Sequence, residues 1–181
     1  MNFIKTAIDG VVIIEPKILG DSRGYFYESY NEKEFNDNGI NCRFVQDNKS
    51  KSVYGVIRGL HCQLGEYAQA KLVSVQEGKV LDVSVDVRKN SPTYGKYVAI
   101  ELSAENKRQV FIPRGFLHGF SVLSETAIFV YKCDNFYCKE AEFGIKYNDK
   151  TLNIDWRIPQ NQIIVSEKDA NAVNLEDYPN E

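Results

Sequence analysis

No apolar run in this chain approaches the ~20 residues a membrane-crossing helix needs, and residues Met1 to Gly10 carry Lys5 and Asp9 where a secretion signal would be apolar. The expectation is a soluble, cytoplasmic protein. Cysteine is scarce: four residues, at 42, 62, 133 and 138, without a CxxC pair. That excludes a dithiol redox motif or a thiolate zinc cage and leaves free thiols in a reducing compartment. Basic excess is missing as well. A net charge of -3 and a pI near 5.5 argue against nucleic acid or anionic membrane as a partner, so an anionic ligand needs a local cationic pocket. Neither GxxxxGK[ST] nor a GxGxxG opening a helix occurs. A diphosphate would therefore be gripped by side chains such as Arg23, Arg58 and Lys168, arginine being suited to paired bonds with phosphate oxygens.

What is present is strand pattern. Leu81, Val83, Val85 and Val87 alternate with Asp82, Ser84 and Asp86 between Lys79 and Arg88, the pattern of a half-buried antiparallel strand. Ala70 to Gln76 alternates too, and Glu77-Gly78 between them reads as a two-residue hairpin turn. Further strands are expected at 10–14, 25–30, 53–60, 97–102, 109–112, 118–123 and 126–133. One helix is expected over 31–38, with Asn31 as its cap, Glu34 three residues on and Gly39 ending it. The polar tail from Glu167 onward resists assignment. No repeat or linker divides the 181 residues, so 1–181 reads as one all-β domain, a closed or sandwiched jelly roll with short peripheral helices.

Histidine occurs only at His61 and His118. Imidazole moves protons near neutrality, and Lys71, an ammonium in the apolar run Lys71-Leu72-Val73, is placed to stabilise a buried negative charge. Base and cation together point to carbon-acid chemistry. Strand parity puts Lys71 with Val73 and Val75, whereas Arg58 and His61, three apart, point opposite ways unless Gly59 allows a bulge. Tyr131 shares a face with Phe129 and is by composition an ordinary core aromatic. Arg23 and Glu28 read by default as solvent-facing charges.

The spacings Gly55-x5-His61-x-Gln63 and Pro113-x-Gly115-x2-His118 are similar to the two cupin motifs, with Gln63 where metal-binding cupins place a histidine; two imidazoles make a poor metal set, so no metal is expected. Seven collinear segments carry a closer resemblance: 21–28 (Asp21-Ser22-Arg23-Gly24-x-Phe26-x-Glu28), 44–48 (Phe44-Val45-Gln46-Asp47-Asn48), 55–61, 91–95 (Ser91-Pro92-Thr93-Tyr94-Gly95), 113–120, 131–133 (Tyr131-Lys132-Cys133) and 166–170. Together they resemble the dTDP-4-dehydrorhamnose 3,5-epimerase family.

The resemblance implies a cupin-like jelly roll without metal or coenzyme, a homodimer whose N-terminal strands pair with the partner, and a dTDP-linked 4-keto-6-deoxy sugar as substrate. It implies His61 as proton acceptor oriented by Asp169, with Asp82 the other carboxylate available for that role, Tyr131 as proton donor and Lys71 as the enolate's partner. It also implies substrate contacts for Arg23, Phe26, Glu28, Gln46, Asn48, Arg58, His118, Glu142 and Lys168. Cys62 and Leu117 stand where the family commonly has tyrosine and alanine, and both are expected to shape the pocket wall. Three other readings stay open: an epimerase that inverts only C3 or only C5 or acts on another nucleotide-linked 4-ketosugar, a non-catalytic sugar-nucleotide binding module, and a metal-dependent cupin.

Overall fold

The computed structural model describes residues 1–179. Its strands are β1 (Asn2–Lys5), β2 (Val12–Glu15), β3 (Leu19–Asp21), β4 (Gly24–Phe26), β5 (Gln46–Val53), β6 (Ile57–Gln63), β7 (Lys71–Glu77), β8 (Lys79–Asp86), β9 (Tyr97–Ser103), β10 (Gln109–Ile112), β11 (Phe116–Val122), β12 (Thr126–Cys133) and β13 (Glu142–Gly144). Two helices, α1 (Glu32–Asp37) and α2 (Glu167–Ala170), lie outside them. One sheet runs β1-β2-β10-β7-β12-β5 and the other β13-β6-β11-β8-β9, with β3-β4 a separate hairpin. Strands β5 to β12 thus distribute as β10-β7-β12-β5 facing β6-β11-β8-β9, which is the double Greek key of a jelly roll.

The expected Glu77-Gly78 hairpin does not form. Strands β7 and β8 belong to different sheets, and Gly78 turns the chain from one to the other. Its φ is +76°, and a Cβ there would sit 2.0 Å from the Thr126 carbonyl oxygen. The run expected as one strand over 53–60 is likewise a corner: β5 ends at Val53 and β6 starts at Ile57. Of the expected 25–30 strand only Tyr25 and Phe26 are extended and paired, in β4. Helix α1 matches its expectation, with Asn31 Oδ1 accepting from the Glu34 amide at 3.2 Å.

Strand β8 is not half-buried. Its polar face is as buried as its apolar one. Val80 joins the core between the sheets, with Val73, Leu102, Val110, Phe120 and Phe129, and Asp82 and Ser84 share its side of the strand. Leu81, Val83 and Val85 pack outward on Ile57, Leu117, Trp156 and Leu175. The covering layer there is the C-terminal segment, which is ordered as α2, a parallel bridge from Ile145 to Val173 and a 3-10 turn at Leu175–Asp177. The last two residues of the tail lie outside the described residues. A third cluster seats Phe35 of α1 on Ile14, Leu72 and Phe111, on the far side of the six-stranded sheet.

Candidate active site

One end of the space between the sheets opens as a cavity of about 580 Å³. Its walls are Asn48, Lys49 and Ser50 from β5, Arg58 and His61 from β6, Lys71 from β7, His118 and Phe120 from β11, Phe129 and Tyr131 from β12, and the segment Ile164–Asp169. These strands bring polar side chains inward at the end of an otherwise apolar barrel, where they border the cavity instead of the packed core.

Strand β6 holds Arg58 and His61 on this cavity through the irregularity that Gly59 permits. In the ladder with β11, His118 faces His61 and Phe120 faces Arg58, so two steps on β11 match three on β6, the signature of a bulge. Gly59 has φ +119°, and a Cβ on it would lie 2.5 Å from Gly119 Cα. Gly144, opposite His61 on β13, leaves room for the imidazole: a Cβ there would be 3.2 Å from His61 Cδ2.

His61 Nε2 lies 2.6 Å from Asp169 Oδ1. Asp169 sits in α2, whose cap is Ser166: the Asp169 amide donates to Ser166 Oγ at 3.1 Å. Burial acts to raise the Asp169 pKa, but hydrogen bonds from His61, Ser166 and the Gly59 amide outweigh it, and the carboxyl lies below its ordinary value. A carboxylate bonded to Nε2 fixes the proton on that nitrogen and leaves Nδ1 with its lone pair. Asp82, the other carboxylate considered for His61, instead holds His118, with Oδ2 at 2.7 Å from Nε2. Burial lowers the His118 pKa more than Asp82 raises it, so this ring is neutral near pH 7.

Lys71 pairs with Cys133 across the β7–β12 ladder, and its Nζ lies 5.9 Å from the centroid of the Tyr131 ring. Burial lowers the Lys71 pKa from the ordinary 10.5 and raises that of the Tyr131 phenol. Both shifts favour the neutral forms, and the phenol therefore keeps its proton for donation. Arg58 Nε donates to Ser52 Oγ at 3.0 Å. Lys168 pairs with Glu142 Oε2 at 2.5 Å, and the Tyr137 hydroxyl donates to the same oxygen at 2.8 Å.

Of the residues expected at the site, His61, Lys71, Tyr131, Asp169, Asn48, Arg58, His118 and Lys168 line the one cavity. Glu142 stands behind Lys168, and Gln46 stands behind Asn48, whose Oδ1 accepts from Gln46 Nε2 at 3.0 Å. Arg23, Phe26 and Glu28 are elsewhere. Arg23 is paired with Asp21 on the exposed β3-β4 hairpin, Phe26 is 65% exposed, and Glu28 accepts from Asn31. Cys62 and Leu117 do not form the cavity wall as expected; both are buried in the cluster on the opposite face of their sheet, because they sit one residue from His61 and His118 and side chains alternate along a strand. Lys49, Ser50 and Phe129 line the cavity without having been singled out; the strictly polar run of β5 hid the first two. Among the described residues, no group of three or more His, Cys, Asp or Glu side chains is placed to hold a metal ion, and no helix is long and apolar enough to cross a membrane.

The family model described as dTDP-4-dehydrorhamnose 3,5-epimerase matches residues 5–177. A curated protein of that name from Shigella flexneri is 56% identical over 178 residues, 98% of this chain and 97% of that one. The crystal structure of dTDP-4-dehydrorhamnose 3,5-epimerase from Elizabethkingia anophelis NUHP1 aligns at 60% identity and a TM-score of 0.95, covering 98% of each chain. That of dTDP-6-deoxy-D-glucose-3,5-epimerase from Legionella pneumophila Philadelphia 1, in complex with dTDP-4-keto-L-rhamnose, aligns at 53% identity and a TM-score of 0.94, covering 98% of this chain and 94% of that one. With a jelly roll whose open end gathers an aspartate-bound histidine, a lysine and a tyrosine, and with matches over nearly its whole length, this chain belongs to the dTDP-4-dehydrorhamnose 3,5-epimerase family and is an isomerase.

Proposed function

We propose that this chain converts dTDP-4-dehydro-6-deoxy-D-glucose to dTDP-4-dehydro-L-rhamnose in the cytoplasm, without metal or coenzyme, as a homodimer. The observation that carries the reading is the His61–Asp169 pair at 2.6 Å sharing one cavity with Lys71 and Tyr131. A ketone at C4 of the sugar acidifies the hydrogens on C3 and C5. His61 Nδ1 accepts one of them, the C–H electron pair moves into the ring, and the C4 oxygen becomes an enolate oxyanion. The Lys71 ammonium offsets that charge in a site where water screens little. Tyr131 then gives its phenolic proton to the opposite face of the carbon, inverting it, and both groups re-equilibrate their protons with solvent.

Arg58 and Lys168 at the cavity supply positive charge for the diphosphate. Arg23 and Phe26 lie on a hairpin that also exposes Leu19 and Tyr25, and Glu28 follows just after it; an exposed hairpin with apolar side chains is suited to a second copy, whose cavity these residues would then complete. The test is NMR of the product formed from dTDP-4-dehydro-6-deoxy-D-glucose in deuterated water. Inversion with deuterium at both C3 and C5 supports the reading; inversion of a single centre contradicts it in favour of a mono-epimerase.

A further inference from the structure

The Lys71 ammonium makes no hydrogen bond or ion pair among the described residues, yet it stands among groups that could balance its charge. Cys133 on β12 and Cys62 on β6 are thiols that burial pushes up to about 11, so neither is anionic near neutrality. Tyr131 on β12 is held protonated by burial. Glu142 on β13 already accepts from Lys168 and Tyr137. His118 on β11 is neutral, and Arg58 on β6 is turned to Ser52.

Asp82 on β8 differs from all of these. It is 1% exposed, and only one of its oxygens is occupied, Oδ2 by His118 Nε2 at 2.7 Å. Oδ1 is buried with no hydrogen-bond partner among the described residues. A buried carboxylate oxygen is almost always matched by a donor. Where it is not, its field acts undiminished on cations nearby, and Asp82 does favour the charged form of Lys71.

We propose that Asp82 is a positioning residue for epimerisation: Oδ2 fixes the His118 ring in the cavity wall, and the unbonded Oδ1 is the counter-charge that keeps the Lys71 amine cationic. This rests on reading Lys71 as the partner of the enolate, but it is tested on the amine itself, so its failure and the failure of that reading are told apart. The measurement is competitive acetylation of Lys71 with acetic anhydride across pH 6 to 10, read by peptide mass spectrometry against a free lysine standard, since only the neutral amine reacts.

In the wild type Lys71 is expected to be mostly protonated at pH 7, and a mostly neutral amine at that pH overturns the proposal whether or not any variant folds. In Asp82→Asn the midpoint should fall by about one pH unit or more, roughly a tenfold gain in neutral amine at fixed pH below the midpoint. The alkaline limb of kcat/KM should move down with it, while Asp82→Glu retains the wild-type midpoint. A uniform loss of activity at every pH with an unmoved Lys71 midpoint would assign Asp82 a structural role and overturn the proposal.

Discussion

At the scale of single residues, proton removal and proton delivery fall on different side chains, His61 and Tyr131, and the two are separable. Tyr131→Phe removes the donor but leaves His61 and Lys71, so product formation should fall by on the order of 10² or more while solvent deuterium still enters the recovered substrate. Loss of exchange together with loss of product would show that Tyr131 is needed to form the enolate. Gly59→Ala asks a residue with a side chain to hold φ +119° and to place its Cβ 2.5 Å from Gly119 Cα. Strain and overpacking together should cost about 2 to 4 kcal/mol, a drop in melting temperature of roughly 5 to 15 °C. An unchanged melting temperature would mean that the bulge tolerates a side chain.

At the scale of elements, the segment Ser91-Pro92-Thr93-Tyr94-Gly95 has a structural explanation in the end of β8. Asp86 accepts from Arg88 Nε at 2.9 Å, from Ser91 Oγ at 2.6 Å and from Thr93 Oγ1 at 2.6 Å. Burial acts to raise the Asp86 pKa, yet these bonds hold it far below the ordinary carboxylate range. A carboxyl with a depressed pKa in the fold stabilises fully above the unfolded value of about 3.9, and this contribution is lost as pH falls below it. Asp86→Asn should therefore cost on the order of 2 to 3 kcal/mol at neutral pH and clearly less at pH 2, where part of the contribution has been lost. Urea unfolding at both values checks this, and equal losses at the two pH values would refute it.

Alternating apolar residues marked β7, β8, β9 and β12 well, because packing between sheets imposes a period of two. Strand β5 escaped notice, since its inward residues Asn48 and Ser50 face the cavity and Val53 at its end is exposed, leaving no apolar period to detect. The corner at Gly78 read as a hairpin because a glycine turn between two strands carries no record of which sheet each strand will join. His61, Lys71 and His118 were conspicuous as polar exceptions in apolar strands. Asp169 was not: it lies on a one-turn helix more than a hundred positions from His61, and only the family resemblance joined them.

At the scale of the whole molecule, acid stability should show two phases. Burial lowers the His118 pKa in the fold, so the unfolded chain takes a proton that the folded chain refuses. Stability is therefore fully present above the unfolded value of about 6.5 and declines as pH falls below it. The carboxylates Asp86 and Asp169 add the second decline below about 4. His118→Gln should remove the first phase and keep the second; a first phase that survives in this variant would place its origin elsewhere. Assembly is tested by sedimentation of Tyr25→Asp/Phe26→Asp, which should be monomeric and nearly inactive if the hairpin completes the cavity of a second copy. A dimeric, fully active variant would contradict that arrangement.

The most direct test of the account concerns His61 as the base. In deuterated water the wild-type chain should exchange the C3 and C5 hydrogens of dTDP-4-dehydro-6-deoxy-D-glucose, and His61→Asn should abolish exchange at both carbons, with dTDP affinity changed by less than about threefold. Exchange at the wild-type rate in His61→Asn would contradict the assignment of proton abstraction to the Asp169-bound imidazole.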